Sequence, residues 1–320
     1  MLSTAATIVF AASLHSQEPR LLQVRYSVWA ASGEFETAAL GFRFQSQRGR
    51  LYRLQESEDL KQWENTDHVA SGNGGLCEIV VPTLKDRQFF RITYELDDHF
   101  LSEITGIEYP IHVYEPPGLD ETEVLPIIYA TDGQWITSSF SSMIEEKGIR
   151  AILVTIEQGP GDRRAIDYLL PGAIDYFAFL KTELIPTVES IYSIDTENRS
   201  LCGTSYGGLF VGLSLLMDDV EAPLFRNYLS FDGSFYTHRS ETYALEQARF
   251  EASQTMKARL ILSSATRYPN NHIAVGRFQS RLQEREYEGL EIVRLSYPVV
   301  HNDVADPSFD EALDILFPDP

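Results

Sequence analysis

A serine stands between two glycines in the segment Gly203-Thr204-Ser205-Tyr206-Gly207, with the spacing G-x-S-x-G. Residues 199–202 lead into it as a short, largely apolar run, and residues 208–213 after it are small and apolar. This order predicts a strand, a sharp turn and a buried helix, with the serine hydroxyl exposed by a strained backbone. Ser205 is therefore a candidate nucleophile. The alternative is a serine in an unrelated strand-to-helix turn that has no chemical role.

A serine hydroxyl needs a base within hydrogen-bond reach before it can attack. The candidate is His301, which follows the last predicted strand, residues 290–299, and precedes a predicted terminal helix over residues 308–317. Parallel strands present their carboxyl ends at one edge of a sheet, so His301 should lie on the same edge as the serine. His238 and His272 are also downstream of the serine and are the competing candidates.

Acyl transfer also needs two backbone N–H groups that face the developing oxyanion. One is expected from Tyr206, directly after the serine. The second is expected at Gly133 or Gln134, because the loop 132–135 follows the predicted strand over residues 127–130 and its glycine allows a close backbone approach. An ordinary Asp-Gly turn is the alternative for this loop.

Composition limits the class of protein. The chain has 320 residues, 43% of them hydrophobic and 12% aromatic, which predicts a folded protein large enough for two domains. Its formal net charge of −21 would repel nucleic-acid phosphates and anionic lipid surfaces, so neither is expected as a partner. Cys77 and Cys202 fall in different predicted domains, and we expect no disulfide between them.

The N-terminus has the composition of an export signal. Residues 4–14 are apolar and alanine-rich, too short to cross a bilayer, and are followed by small and polar residues. The usual basic residues before the apolar region are missing. We predict a cleaved signal over residues 1–19 and a secreted or periplasmic protein, the alternative being the N-terminus of a cytosolic protein. No later segment predicts a membrane span.

Two patterns divide the rest of the chain. Residues 20–97 contain short alternating apolar runs separated by turn residues, which predicts a small antiparallel β module. Residues 98–320 predict strands that alternate with helices, the clearest helices being 171–192 and 272–286. This alternation predicts an α/β fold with a doubly wound, mostly parallel sheet. The strands predicted in the second part are residues 107–114, 124–130, 150–156, 199–202, 226–231, 258–264 and 290–299.

Several segments of the second part match a known family. They are residues 109–118 (YPIHVYEPPG), 131–135 (TDGQW), 163–168 (RRAIDY), 179–186 (FLKTELIP), 203–208 (GTSYGG) and His301. From about residue 100 onward the chain resembles the putative-esterase family of α/β-hydrolases, which includes S-formylglutathione hydrolases, siderophore esterases, some feruloyl and acetylxylan esterases, and mycolyltransferases. The resemblance implies an α/β-hydrolase fold, a serine nucleophile at Ser205 and a histidine base at His301.

The N-terminal part carries a second, looser resemblance. Residues 51–63 and 87–92 are similar to a small β-sandwich module appended to many bacterial extracellular proteins. Its aromatic residues Tyr52, Trp63 and Phe90 are expected in the core, and the alternative is a glycan-binding face.

The triad acid is where the chain departs from the family. The family usually places a carboxylate after the strand that corresponds to residues 260–264, but residues 264–271 contain none. Asp232, which follows the preceding predicted strand, is the expected substitute, and it would hold the histidine tautomer and stabilise the imidazolium. The alternatives are a neutral partner such as Asn270, a Ser-His dyad, another carboxylate such as Asp303, or a purely structural turn cap at Asp232.

Other residues near these loops have two interpretations each. Trp135, Phe235 and Tyr236 either line a substrate pocket or pack in the core. Arg163 and Arg164 form either a clamp for a carboxylate or phosphate or a solvated charged pair. The sequence contains no cluster with metal-ligand spacing and no phosphate-binding glycine loop with its lysine, so neither a metal nor a cofactor is expected.

The sequence as a whole predicts a serine carboxylesterase that works through an acyl-enzyme, with Ser205, His301 and Asp232 as the triad. The expected partner is a small-molecule or glycan ester, and the family resemblance implies a carbohydrate-linked acyl group, an aromatic acid ester or a siderophore. An acyltransferase of the same family and a non-catalytic secreted binding protein on this scaffold are the alternatives. The oligomeric state is left open.

Overall fold

A computed structural model of the chain describes residues 21–30, 36–82, 89–120 and 122–318. These residues form two compact units that divide after Asp98. The predicted signal segment, residues 1–19, lies outside the described residues.

The first unit consists of two small antiparallel sheets. One contains three strands in the order β1-β2-β5, and the other contains three in the order β4-β3-β6. Their bounds are Leu21–Ala30 (β1), Glu36–Gln45 (β2), Arg50–Ser57 (β3), Glu64–Ser71 (β4), Leu76–Pro82 (β5) and Phe89–Leu96 (β6). The predicted small antiparallel β module is confirmed.

Alternate residues of these strands form the core of the first unit, as the period of a strand requires. The buried side chains are Leu40, Phe42 and Phe44 of β2, Tyr52 and Leu54 of β3, Cys77, Ile79 and Val81 of β5, and Phe90 of β6. Tyr52 and Phe90 are therefore core residues and do not form a glycan-binding face. Trp63 is half-buried, with the Arg91 guanidinium 4.6 Å from the centre of its ring.

The second unit is built on an eight-stranded sheet in the order β14-β13-β12-β11-β9-β10-β8-β7. Strands β9 to β14 pair in parallel, and β7 and β8 extend one side in antiparallel pairing. The bounds are His99–Leu101 (β7), Glu108–Tyr114 (β8), Leu125–Thr131 (β9), Ile152–Ile156 (β10), Ile194–Thr204 (β11), Asn227–Phe231 (β12), Thr255–Ser263 (β13) and Glu288–Arg294 (β14). The predicted α/β fold with a doubly wound, mostly parallel sheet is confirmed.

Eight α-helices among the described residues connect these strands. Their bounds are Gly133–Glu146 (α1), Arg164–Asp167 (α2), Gly172–Phe179 (α3), Ile185–Glu189 (α4), Tyr206–Met217 (α5), Arg239–Ala252 (α6), Pro269–Arg285 (α7) and Ala305–Leu316 (α8). No helix in this part of the chain combines the length and the apolar character needed to cross a membrane.

The helices cover both faces of the sheet. On one face α1 meets α8, where the rings of Phe140 and Phe309 stack with their centres 3.7 Å apart. On the other face the Ser230 hydroxyl of β12 donates to the Gly208 carbonyl of α5 at 2.7 Å. Leu229 and Phe231, which flank Ser230 in the strand, belong to the core under α1 and α8. Because side chains alternate along a strand, α5 lies opposite α1 and α8.

Several element boundaries differ from the sequence prediction, including those of two helices and one strand end. The helix predicted over 171–192 is interrupted by a wider π-helical turn, Leu180–Leu184, because Pro186 has no N–H to continue the regular bonding pattern. Helix α7 begins at Pro269 rather than His272, since proline fits the first turn of a helix. Strand β14 ends at Arg294 rather than 299, and beyond it only Tyr297 forms a bridge, to Ala265.

The order of the sheet fixes where a site can form. From β9 the chain crosses to β10 on one side, and from β10 it returns to β11 on the other side of β9. Connections that leave in opposite directions open a crevice at the carboxyl ends of the two neighbouring strands. The segments that follow β9 and β11, namely 132–135 and 205–208, both lie at this crevice.

Candidate active site

Ser205 lies in a strained turn between β11 and α5. Its backbone dihedral angles are φ 62° and ψ −116°, which are rare for a residue with a side chain. A Cβ atom on Gly203 would lie 2.5 Å from the carbonyl group of Gly207, and one on Gly207 would lie 2.4 Å from Thr131 Oγ1. Both glycines are therefore required by close packing, and the Ser205 N–H is held by the Phe231 carbonyl at 3.0 Å.

The side chains of Ser205, His301 and Asp232 form a continuous hydrogen-bonded chain. Ser205 Oγ lies 3.0 Å from His301 Nε2, and His301 Nδ1 lies 2.6 Å from Asp232 Oδ2. An ionised carboxylate can only accept, so Nδ1 carries the proton and Nε2 is free to accept one from the serine. This is the arrangement that a nucleophile, a base and an orienting acid require.

Asp232 is held firmly in a buried position. Its side chain is fully buried, and its Oδ1 accepts the Ala265 N–H at 3.1 Å. The Asn271 side-chain amide donates to the Asp232 carbonyl at 2.6 Å and lies 3.4 Å from Oδ2. Because Asp232 follows β12 and Ala265 follows β13, two neighbouring strand ends cooperate to position the carboxylate.

The alternatives to Asp232 lie elsewhere. Asp303 is exposed in a short 3₁₀ turn, His301–Asp303, and makes no hydrogen bond to His301 within the described residues. Asn270 is also exposed, and the neutral residue beside the histidine is its neighbour Asn271, whose side-chain nitrogen lies 3.4 Å from His301 Nδ1. The sequence prediction missed Asn271 because it started α7 three residues too late.

Two further contacts of the site did not follow from the sequence. The Tyr268 ring packs on the His301 ring, with centres 4.9 Å apart and planes tilted by 31°. The Ser234 hydroxyl lies 3.4 Å from the Ser205 hydroxyl, and its N–H donates to the Ser205 carbonyl at 3.0 Å. Ser234 lies two positions after Asp232, and Tyr268 lies four positions after Ser264. Their nearness to these two strand ends is the only sequence signal that could have indicated them.

The residues predicted to bind the oxyanion lie at two helix starts. Tyr206 is the first residue of α5, and Gly133 and Gln134 are the first two of α1. Backbone N–H groups in a first helical turn have no acceptor within the helix, so they are free to bind an anion. The two starts adjoin, because a Cβ on Gly207 would be 3.2 Å from Asp132 Oδ2.

A buried ion pair joins these two helix starts. Arg164 makes two parallel bonds to the Asp132 carboxylate, at 2.7 and 2.9 Å, and also reaches the Thr204 carbonyl at 3.4 Å. Asp132 is 3% exposed and has a left-handed backbone, with φ 67°, directly before α1. Burial raises the pKa of this carboxyl group, and the bonds from Arg164 oppose part of that shift. Arg164 therefore links the loop at Asp132 to the turn at Ser205.

Neither interpretation of the two arginines from the sequence was correct. Arg163 pairs with Asp167 at 2.8 Å, and Arg164 pairs with Asp132, so both are engaged in internal ion pairs. They are neither a solvated pair nor free to clamp a ligand. The sequence did not indicate the Asp132 pair because its two members are 32 positions apart.

The three aromatic candidates occupy different environments. Trp135 is 63% exposed and Tyr236 is 48% exposed. Phe235 is only 1% exposed and stacks on Phe278, with ring centres 4.1 Å apart. The prediction that Phe235 lines a substrate pocket is therefore corrected, because the strand end turns its side chain into the core and directs Tyr236 outward.

The competing histidines lack the same surroundings. His272 Nδ1 lies 2.7 Å from Ser264 Oγ, which makes a second Ser-His pair on the same edge of the sheet. Ser264 is fully buried and also accepts a bond from Arg294 at 2.6 Å, so it has neither the exposure nor the strained turn of a nucleophile. His238 is exposed at the start of α6.

One group of metal-ligand side chains occurs among the described residues. The ligand atoms of Asp97, Asp98 and His99 lie within 4.8 Å of one another. Asp97 is buried and the other two are exposed, and the grouping by itself assigns no metal to the chain. None of the three belongs to the site around Ser205.

The strand order, the strained turn at Ser205 and the late histidine together define the fold of the second unit as that of an α/β-hydrolase. Residues 102–233 of it match the model of a family described as putative esterase. The resemblance to the putative-esterase family that the sequence indicates is therefore confirmed over these residues.

A curated relative and two solved structures show the range of the similarity. The ferri-bacillibactin esterase BesA of Bacillus subtilis (strain 168) is 34% identical over 86 residues, which span 27% of this chain and only 28% of that protein. An IroE-like serine hydrolase from Shewanella oneidensis has a TM-score of 0.60 at 21% identity, over 68% of this chain and 78% of that one.

The enterobactin esterase FES from Shigella flexneri has a TM-score of 0.55 at 14% identity, over 94% of this chain and 97% of that one. At these identities the solved structures share the fold with this chain, and they do not transfer an activity.

Proposed function

We propose that the protein is a serine carboxylesterase that works through an acyl-enzyme. The observation that carries the proposal is the chain of contacts from Ser205 Oγ to His301 Nε2, at 3.0 Å, and from His301 Nδ1 to Asp232 Oδ2, at 2.6 Å. The strained turn that exposes the serine and the family match over residues 102–233 support the same conclusion.

In the acylation step, Ser205 Oγ attacks the ester carbonyl carbon while its proton passes to His301 Nε2. The carbonyl electron pair moves to oxygen, where the free N–H groups of Tyr206 and of Gly133 or Gln134 are suited to stabilise it. The intermediate then collapses, the bond to the alcohol oxygen breaks, and the imidazolium returns its proton to that leaving group. Asp232 stabilises the imidazolium throughout.

In the deacylation step, a water molecule takes the place of the alcohol. His301 removes a proton from the water as its oxygen attacks the acyl carbon, and the second intermediate releases the acid and restores Ser205. An acceptor alcohol in place of water would make the same acyl-enzyme a transferase, and the two outcomes differ only in the nucleophile of this step.

The relatives bear on the substrate. One is described as a ferri-bacillibactin esterase and another as an enterobactin esterase, and both names denote siderophore esters. We therefore place a siderophore ester first among the proposed substrates, ahead of carbohydrate-linked acyl groups and aromatic acid esters. The binding-protein alternative depended on a missing triad acid, and the contact between Asp232 and His301 supports the esterase proposal over it.

Export to the periplasm or the medium remains part of the proposal. It rests on the composition of residues 1–19, which lie outside the described residues. N-terminal sequencing of the protein recovered from the periplasm and from the medium tests it, and an intact Met1 on recovered cytosolic protein would contradict it.

The serine esterase itself is tested by covalent labelling. A fluorophosphonate probe should label the purified protein, and the protein should hydrolyse p-nitrophenyl butyrate. The variant Ser205→Ala should do neither. Ser264→Ala is the matched control, because Ser264 also bonds to a histidine, and it should keep its labelling. A folded parent protein that neither labels nor turns over would overturn the proposal.

A further inference from the structure

A small pocket lies between α6 and α7, and its lining includes Tyr236, four residues after Asp232. Its volume is about 270 Å³, and the lining also includes Arg239, Tyr243, Asn270 and Arg277. Pockets that hold a whole drug-sized ligand measure about 300–1,000 Å³, so this pocket has room for one substituent of a substrate rather than for all of it.

Two chain segments connect the pocket to the triad. Tyr236 lies two residues after Ser234, and the Ser234 hydroxyl lies 3.4 Å from Ser205 Oγ. Asn270 directly precedes Asn271, which bonds to Asp232. Two residues of extended chain span at most about 7 Å between their Cα atoms, so the backbone of Tyr236 lies near that of Ser234.

The pocket residue Tyr236 also neighbours Tyr268, which contacts His301. The Tyr268 ring lies on the His301 ring, and the neighbouring Tyr236 hydroxyl raises the pKa of Tyr268. Tyr236 therefore belongs both to the lining of the pocket and to the pair of tyrosines next to His301.

The charge of the pocket is opposite to that of the chain. Arg239 and Arg277 are exposed, and neither forms an ion pair or a side-chain hydrogen bond with a described residue. Arg281 beside them is paired with Glu246, which also pairs with Arg285, and lies over the Tyr243 ring at 4.7 Å. In a chain of net charge −21, two unpaired guanidinium groups facing one small pocket are a local reversal of sign.

Such a pair suits an anion at short range. Salt screens the overall negative charge beyond about 8 Å, whereas a carboxylate in the pocket would meet two guanidinium donors directly. Arginine binds carboxylates through paired, planar hydrogen bonds, and the Tyr236 and Tyr243 rings provide apolar walls for the carbon chain that carries the charge.

We propose that the pocket binds an anionic group of the substrate, a carboxylate or a group of like charge, attached close to the scissile ester. This inference rests on the proposed esterase function and adds a substrate class to it: esters that carry a negative charge beside the reacting carbonyl.

Two matched substrate pairs test the proposal in the full-length protein. In the first, mono-4-nitrophenyl adipate is compared with its neutral methyl ester, which places the charge on the acyl side. In the second, 3-carboxy-4-nitrophenyl butyrate is compared with 4-nitrophenyl butyrate, which places it on the alcohol side. We expect the anionic member of one pair to have a kcat/KM about 5- to 20-fold higher, as two exposed charge contacts allow.

The double variant Arg239→Gln/Arg277→Gln should remove this preference, with most of the change in KM, and Arg277→Glu should reverse it. Arg226→Gln is the matched control, because Arg226 is exposed at the opposite end of β12 and should leave the preference unchanged.

The outcomes separate the two proposals. Turnover of both pairs without a charge preference, or a preference that survives the double variant, overturns the pocket assignment and leaves the esterase standing. A folded protein that hydrolyses none of the four esters overturns both.

Discussion

Replacing Asp232 by asparagine should disable the base without disturbing the fold. Oδ1 of Asp232 faces the Ala265 N–H at 3.1 Å, and a backbone N–H can only donate. The asparagine must therefore keep its oxygen on that side and turn its NH₂ group toward His301 Nδ1, 2.6 Å away in the parent. Nδ1 then becomes an acceptor, the ring proton moves to Nε2, and the imidazole can no longer take the proton of Ser205.

The expected size of the effect follows from the loss of the correct tautomer. The corresponding change in a serine protease lowers kcat about 10⁴-fold, which is about 5.5 kcal/mol of transition-state stabilisation at 1.36 kcal/mol per tenfold. No rearrangement of neighbours is expected to restore the tautomer, because the Asn271 NH₂ group, 3.4 Å from Oδ2, is also a donor. We therefore expect a loss of about 10⁴-fold for Asp232→Asn.

The assay is kcat/KM for p-nitrophenyl butyrate, with the thermal midpoint measured in parallel. Asp303→Asn is the matched control, since it makes the same chemical change at an exposed carboxylate and should alter the rate less than about twofold. A loss of less than about tenfold in a folded Asp232→Asn protein would refute the reasoning and show that Ser205 and His301 act as a dyad.

Three further changes test other parts of the site. Arg164→Met leaves the Asp132 carboxylate buried and unpaired, so stability should fall by about 3 kcal/mol at pH 7 in urea denaturation. Burial already raises the pKa of Asp132, and the loss of Arg164 should raise it further. Protonation of Asp132 therefore stabilises the folded variant more than the folded parent, so the difference in stability between them should become smaller as the pH falls toward 5. A difference in stability that grows in acid would contradict this. Gly207→Ala should lower the thermal midpoint and the esterase rate because its Cβ meets Thr131 Oγ1 at 2.4 Å, whereas Gly276→Ala, with open space around it, should stabilise α7 by about 1 kcal/mol. Phe235→Ala should lower the free energy of unfolding by about 3–5 kcal/mol, because this side chain is buried. Tyr236→Ala should change it by less than about 0.5 kcal/mol, because this side chain is exposed, and should alter KM instead. Equal losses of stability would show that the two side chains do not differ in burial.

The sequence predicted the features that depend on local pattern. Short-range periodicity distinguished the β unit from the α/β unit, and the spacing of Gly203, Ser205 and Gly207 located the turn because the close approach there excludes side chains. His301 could be selected as the candidate base because the carboxyl ends of parallel strands lie at one edge of the sheet. These inferences need no knowledge of distant contacts.

The features that the sequence did not predict depend on long-range pairing or on single-residue registers. The Asp132–Arg164 pair joins loops after different strands, and nothing near either residue indicates the other. Asn270 and Asn271 are neighbours of the same type, and only the helix start at Pro269 decides which one faces Asp232. Phe235 and Tyr236 likewise differ only in the direction that the turn gives them.

The position of the proposed acid, Asp232, differs by one strand from the position that is usual in the family. The strand end where the family usually places the acid here presents Ser264, whose hydroxyl is already bonded to Arg294 and His272. A carboxylate at position 264 would lie against the Arg294 guanidinium and form an ion pair there, so its charge would be drawn away from His301. Asp232 reaches the histidine from the neighbouring strand end instead, and Ala265 at the usual end contributes its N–H to hold the carboxylate. Adjacent parallel strands end at the same edge of the sheet, so a carboxylate at the end of either strand can lie near His301. Here the end of β12 supplies the carboxylate, and the end of β13 supplies the N–H that holds it.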